Sequence, residues 1–144
     1  KAVTDALVGR LDHWANGADG CLALILMLDQ FTRNMFRHSA RAFSGDEMAL
    51  ALSLRCVERK YLDADKPFYC QFMLMPMMHS EDIGIQDMSL PLFEKYTSKL
   101  TYDYAVKHRD IITRFGRFPH RNSMLGRPSS RDEEQFLTQP GSSF

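Results

Sequence analysis

The chain has no apolar run longer than Cys21 to Leu28, far short of the roughly 20 residues a helix needs to cross a bilayer. The opening KAVTDALVGR has neither an apolar core nor a small-residue cleavage site, so no secretory signal is expected. Net charge is missing too: 18 Lys and Arg balance 18 Asp and Glu. No global field therefore draws the chain to nucleic acid or an anionic membrane, and either role would need a local patch. Cysteine is scarce and odd in number. Cys21, Cys56 and Cys70 each sit in an apolar helical pattern, which reads as reduced thiols acting as small hydrophobes in a cytoplasmic protein.

Strand signals are absent as well; no segment alternates apolar and polar residues around a hairpin turn. No H-E-x-x-H or paired E-x-x-H spacing offers a metal site. There is no glycine-rich phosphate loop and no Ser, Cys or Lys nucleophile set beside a base. Neither a metal nor a cofactor is expected.

What remains is helical. The 144 residues, 44% hydrophobic and 25% charged, suit one all-α domain over 1–144. Periodicity predicts helices over about 4–14 and 20–37, the second with an all-apolar first half that belongs at the centre of the fold. A third begins at SGDE, where Ser44 and Glu47 have capping-box spacing. A fourth, about 65–80, places Phe68, Phe72, Met75 and His79 on one face, with Pro76 inside. A fifth covers about 81–100, bent or split at Pro91. A sixth, about 102–115, carries Tyr104, His108, Ile111 or Ile112, and Phe115 on one stripe and ends at Gly116. Ser130 and Glu133 form a capping box for a short last helix. Pair starts near residues 5, 44 and 82 give a period somewhat under 40, within the range of helical repeats.

Three constellations hold chemistry. At the end of the second helix, Gln30, Arg33, Asn34 and Arg37 share one face by their spacing, with Asp29 a turn before Arg33. This stripe is either a buried network locking helices together or the polar wall of a cleft. In MPMMHSED, His79 lies on an apolar stripe with Glu81 and Asp82 beyond it, and His108 lies on an inward stripe beside Arg109 and Asp110. Each histidine is a satisfied core residue or an acid–base group. The third constellation is RFGRFPHRNSMLGR, 114 to 127. From Ile111 to Arg131 there are five arginines, no lysine and no carboxylate. Arginine's rigid, permanently charged fork suits carboxylate or phosphate. Asp29, Asp82, Asp110 and helix-end carbonyls are candidate internal partners. The alternative is a small anionic ligand. A nucleic acid is poorly supported by so short a basic stretch.

LDQFTRNMFR, ARAFSGDEMALAL, MPMMHSED, HRDIITRFGRFPHRN with LGR, and the closing FLTQPGSSF together resemble the uncharacterised bacterial family known as domain of unknown function 924. The likeness spans nearly all of residues 20 to 144. It implies an all-α, tetratricopeptide-like fold, with antiparallel hairpins stacked in a right-handed superhelix, and a cytoplasmic protein. Members usually carry a further N-terminal segment with a Phe-Trp-rich helix, which this chain is expected to lack. Thr32 stands where Pro is common, and Pro128 follows Gly126-Arg127. The signature falls on Arg33, Asn34, Arg37, His79, Glu81, His108, Arg114, Arg117, His120, Arg121 and Asn122.

Two functions follow. The first is a protein- or peptide-binding scaffold with no membrane role, since helical repeats usually bind proteins. The second is a binder or enzyme for an anionic phosphate or carboxylate. There Arg117 and Arg121 would clamp the anion, with Gln30, Arg33, Asn34, Arg37, Arg114 and Asn122 as further binding candidates. His79, His108 or His120 would move a proton and Glu81 would orient the base.

Overall fold

A computed structural model describes all residues, Lys1–Phe144, and every regular element in it is helical. Helix α1 (Ala2–Leu7) ends earlier than its periodicity predicts, and Asp12–Asn16 forms a separate 3₁₀ turn. Gly9, with φ at +77°, breaks the predicted helix there. Helix α2 (Ala18–Ile25) continues through a π turn, Leu26–Phe31, into α3 (Thr32–Met35). Helices α4 (Asp46–Glu58), α5 (Pro67–Met78), α6 (Ile83–Tyr96), α7 (Lys99–Phe115) and α8 (Arg131–Leu137) follow. The chain runs helically through both Pro76 and Pro91, so Pro91 does not split α6.

The caps show which local rules held. Ser98 caps α7, Gly116 ends it at φ +70°, and Ser130 with Glu133 forms the expected capping box of α8. The box expected at Ser44 and Glu47 does not form. Gly45 is the N-cap of α4, and the Ser44 hydroxyl turns back to donate to the Arg41 carbonyl at 2.7 Å. Packing explains this. A Cβ on Gly45 would lie 2.3 Å from the Leu28 carbonyl oxygen, so backbone meets backbone between α4 and the π turn. We expect Gly45→Ala to lower stability by about 1–3 kcal/mol, as overpacking does, read from urea unfolding against wild type. An unchanged midpoint would show that the approach is looser than it looks.

Helices α4, α5, α6 and α7 each pack on the next, and α2 crosses α4 and α5. The main core lies between them, built from Cys21, Ile25, Cys56, Leu74, Met77 and Phe93 among others. All three thiols are free and buried, which agrees with their reading as small hydrophobes. On α5 the buried side is Cys70, Met73, Leu74 and Met77, while Phe68 is exposed, so the stripe expected from Phe68 to His79 is not the core face. A second core joins α1 to α2 and α4. A third, with Ile111, Ile112 and Phe118 at its centre, fixes the segment after α7 onto that helix. No helix is long and apolar enough to cross a membrane.

Candidate functional site

The buried stripe of α2 runs through Ile25 and Leu28 to Asp29, a carboxylate with no exposed surface. Its position four residues after Ile25 puts it on the core-facing side. A buried carboxylate needs partners, and it has three: Nδ1 of His79 at 2.6 Å, Nη1 of Arg33 at 3.0 Å and Nε2 of Gln30 at 2.6 Å. Burial pushes the Asp29 carboxyl up. The electrostatic pull of His79 and Arg33 and the hydrogen bonds from His79 and Gln30 outweigh burial and hold it at about 2. Because an ionised carboxylate only accepts, His79 carries its proton on Nδ1. Nε2 is then the nitrogen left without a protein partner.

His79 lines a cavity of about 500 Å³. The polar stripe Gln30, Arg33, Asn34 and Arg37 forms one wall, His108 reaches it from α7, and His120, Arg121 and Phe118 close it from the segment after α7. Phe43, Met75, Met124 and Phe144 supply apolar lining. The segment that is rich in arginine is therefore packed against both inward histidines, with the His79 and His108 ring centroids 6.2 Å apart.

Its arginines divide by what they touch. Arg121, only 6% exposed, donates to the His79 carbonyl at 2.8 Å and lies 3.6 Å from Asp46. Its guanidinium sits 4.7 Å from the ring centroids of both Phe43 and Phe118. Burial, with Arg33 beside it, pulls Arg121 down to about 10, still charged at neutral pH. Arg33 is spent on Asp29 and on both oxygens of Asp46. Arg37 reaches only the Asn34 side-chain oxygen, at 3.1 Å, and pairs with no carboxylate.

Arg117, Arg114, Asn122 and Glu81 do not line the cavity. Arg117 grips Glu133 with two bonds of 2.9 and 2.8 Å and donates to the Pro128 carbonyl. It fastens the loop to α8 and does not face the cavity as a clamp. Arg117 beside it draws the Glu133 carboxyl down to about 2. Glu81 takes a bidentate contact from Arg127, at 2.8 and 3.1 Å, and accepts the Phe118 amide at 2.6 Å. Asp29 is therefore the group that orients His79. Asn122, buried, bridges Glu133, Ser129 and Arg127. Arg114 lies over the Phe115 and Phe136 rings.

Sequence reasoning missed Asp46 and the aromatic lining from Phe43 and Phe144. Asp46 reads as an ordinary first-turn acid of α4, and nothing local marks it as the carboxylate shared by two arginines. The imidazoles at the inner end are held neutral. Burial lowers His108 to about 3, although the Tyr104 carbonyl opposes it, and burial with Arg121 nearby lowers His120 to about 4. Two buried nitrogens here have no partner: Nδ1 of His120 and Nε of Arg121. Buried polar atoms are nearly always paired, so these two are exceptions, on residues that line the cavity.

A solved structure of a protein of unknown function from Agrobacterium tumefaciens superposes with a TM-score of 0.89 at 38% identity, covering 94% of this chain and 77% of that one. No curated protein matches. The model of the bacterial proteins of unknown function, DUF924, matches residues 1–141, and the chain belongs to that family.

Proposed function

We propose that the protein binds a small anion, a phosphate ester or a carboxylate, and acts on it by proton transfer through His79. On this reading the packed helices form a tetratricopeptide-like right-handed superhelix, and the segment after α7 closes its inner face into a chamber. One observation carries the proposal: His79, held by Asp29 at 2.6 Å from behind, lines the same cavity as Arg37 and Arg121. Asp29 fixes the imidazole's tautomer and ring orientation, which suits Nε2 to accept a proton. Arg37 has no carboxylate to satisfy it, and Arg121 keeps one nitrogen unpartnered. Arg37 is free to meet incoming negative charge, and Arg121 adds its fixed positive charge to the same cavity wall.

A scaffold that grips a peptide is the other reading of the fold. The small-anion reading is favoured because the cationic and imidazole groups converge on one cavity instead of being strung out along the helices. The test is thermal melting with phosphate and with acetate. Anion at a hundredfold excess over Kd adds about 2.7 kcal/mol and raises the midpoint by several degrees. Arg37→Gln, an exposed change, should leave the bare protein's stability within about 0.5 kcal/mol and remove most of the anion-dependent rise. Midpoints unmoved by either anion would rule the reading out.

A further inference from the structure

His108 is fixed more completely than an acid–base group needs to be. Its Nδ1 lies 2.7 Å from the Tyr104 carbonyl oxygen, one turn back on α7. A carbonyl only accepts, so the proton sits on Nδ1 and Nε2 bears a lone pair. Two aromatic rings hold the imidazole in place. Phe144 stacks on it with centroids 3.9 Å apart and planes 26° apart, and Phe118 meets it edge-on at 5.6 Å. Nothing in the protein donates to Nε2, although the ring lines the cavity and the residue is only 4% exposed. Burial also keeps the ring neutral through the physiological range. His108 thus offers a permanent acceptor to whatever fills the chamber.

A bare anion does not answer it. A phosphomonoester dianion or a carboxylate brings only acceptors in its charged group, and two acceptors face to face leave a buried lone pair unpaired. The group that completes this site is a donor.

We propose that the anion taken here also carries a hydroxyl group, and that His108 reads that hydroxyl through Nε2 as a specificity-determining residue. This rests on the anion-site reading above and adds the ligand's second feature. The hydroxyl donates to His108 while the charged group lies toward Arg37 and Arg121. His79, 6.2 Å from His108 between centroids, is close enough to serve the same small ligand. The substrate class is then a hydroxylated phosphomonoester or a hydroxy acid. A simple alkyl phosphate or fatty acid is the poorer fit.

The experiment compares matched probes by calorimetry at pH 8, where a phosphomonoester has lost its own second proton. Glycerol 3-phosphate is set against propyl phosphate, and lactate against propionate. One added neutral hydrogen bond predicts about 3- to 10-fold tighter binding of the hydroxylated member in at least one pair, and the tighter pair tells phosphate from carboxylate. His108→Phe keeps a flat ring between Phe144 and Phe118 and should bring the two members of that pair level. Equal affinity within both pairs in wild type overturns the hydroxyl proposal and leaves the anion site standing. A preference that survives in His108→Phe removes His108 from the role. Failure of all four probes and of phosphate to bind overturns both readings.

Nitrogen NMR of the wild-type imidazoles gives a second check that does not depend on the variant's folding. His108 should show a protonated Nδ1 and a bare Nε2, with the Nε2 resonance moving when glycerol 3-phosphate is added. A protonated Nε2 in the free protein would end the proposal.

Discussion

Asp29→Ala is expected to cost about 3–5 kcal/mol, the usual loss when one member of a buried ion pair is removed, and urea unfolding followed by circular dichroism measures it. The carboxylate is fully buried and answers His79, Arg33 and Gln30 together. Its removal strands a guanidinium and an imidazole at the inner end of α2. Asp46 still holds Arg33 at 2.8 and 3.0 Å, which keeps the loss from growing further. A change under about 1 kcal/mol would mean that the three partners find water instead. The pH dependence gives a second readout. Asp29 titrates at about 2 in the folded chain against 3.8 ordinarily. A depressed carboxyl contributes stability that is fully present above its unfolded value and is lost as pH falls through its folded one. The gap between wild type and Asp29→Asn should therefore hold steady from pH 7 to about 4 and narrow between about 4 and 2. A gap that widened in that window would contradict the assignment. Asn at this position also accepts less well from His79, so any proton-transfer activity should fall with it.

The second large effect is expected at Glu81, where Ala should cost about 3 kcal/mol. Glu81 receives both arms of Arg127 and the amide of Phe118, a residue with no exposed surface. Losing it orphans a buried N–H and a guanidinium at once. Since Arg127 also donates to Asn122 and to the Phe118 carbonyl, the damage should spread along the whole segment. Hydrogen exchange should then rise at residues 117–127 before the helices loosen. Glu81→Gln, which still accepts the Phe118 amide, should cost less than Ala. Arg114→Ala is the control: Arg114 is exposed and lies over two rings with no carboxylate, and its loss should stay near 0.5 kcal/mol. Equal losses for Glu81→Ala and Arg114→Ala would show that the segment is held by its aromatics alone.

The contrast between Arg117 and Arg37 shows why the two roles of arginine cannot be separated along the chain. Both stand in polar surroundings with identical chemistry. Arg117 meets Glu133, sixteen residues later, because α8 folds back beside the loop. Arg37 ends at the cavity mouth, where no acidic residue arrives. The same holds for the orienting carboxylate. Glu81 sits two residues from His79, and adjacency favours it as the partner. Asp29, fifty residues earlier, holds that position because the π turn after α2 packs against α5 there. Helix spacing did place Gln30, Arg33, Asn34 and Arg37 on one face, since a periodic stripe needs no knowledge of neighbours.

Local rules alone settled a good deal: an all-helical chain, the α8 capping box, the Gly116 stop, three buried thiols and an inward His108. Each depends on groups within a turn or two of one another, or on a repeated pattern of burial. The crossing of α2 with α5 and the return of the tail decided which charges are spent on each other and which face the chamber. Those partners lie tens of residues apart, and an isolated guanidinium looks the same before it meets either one.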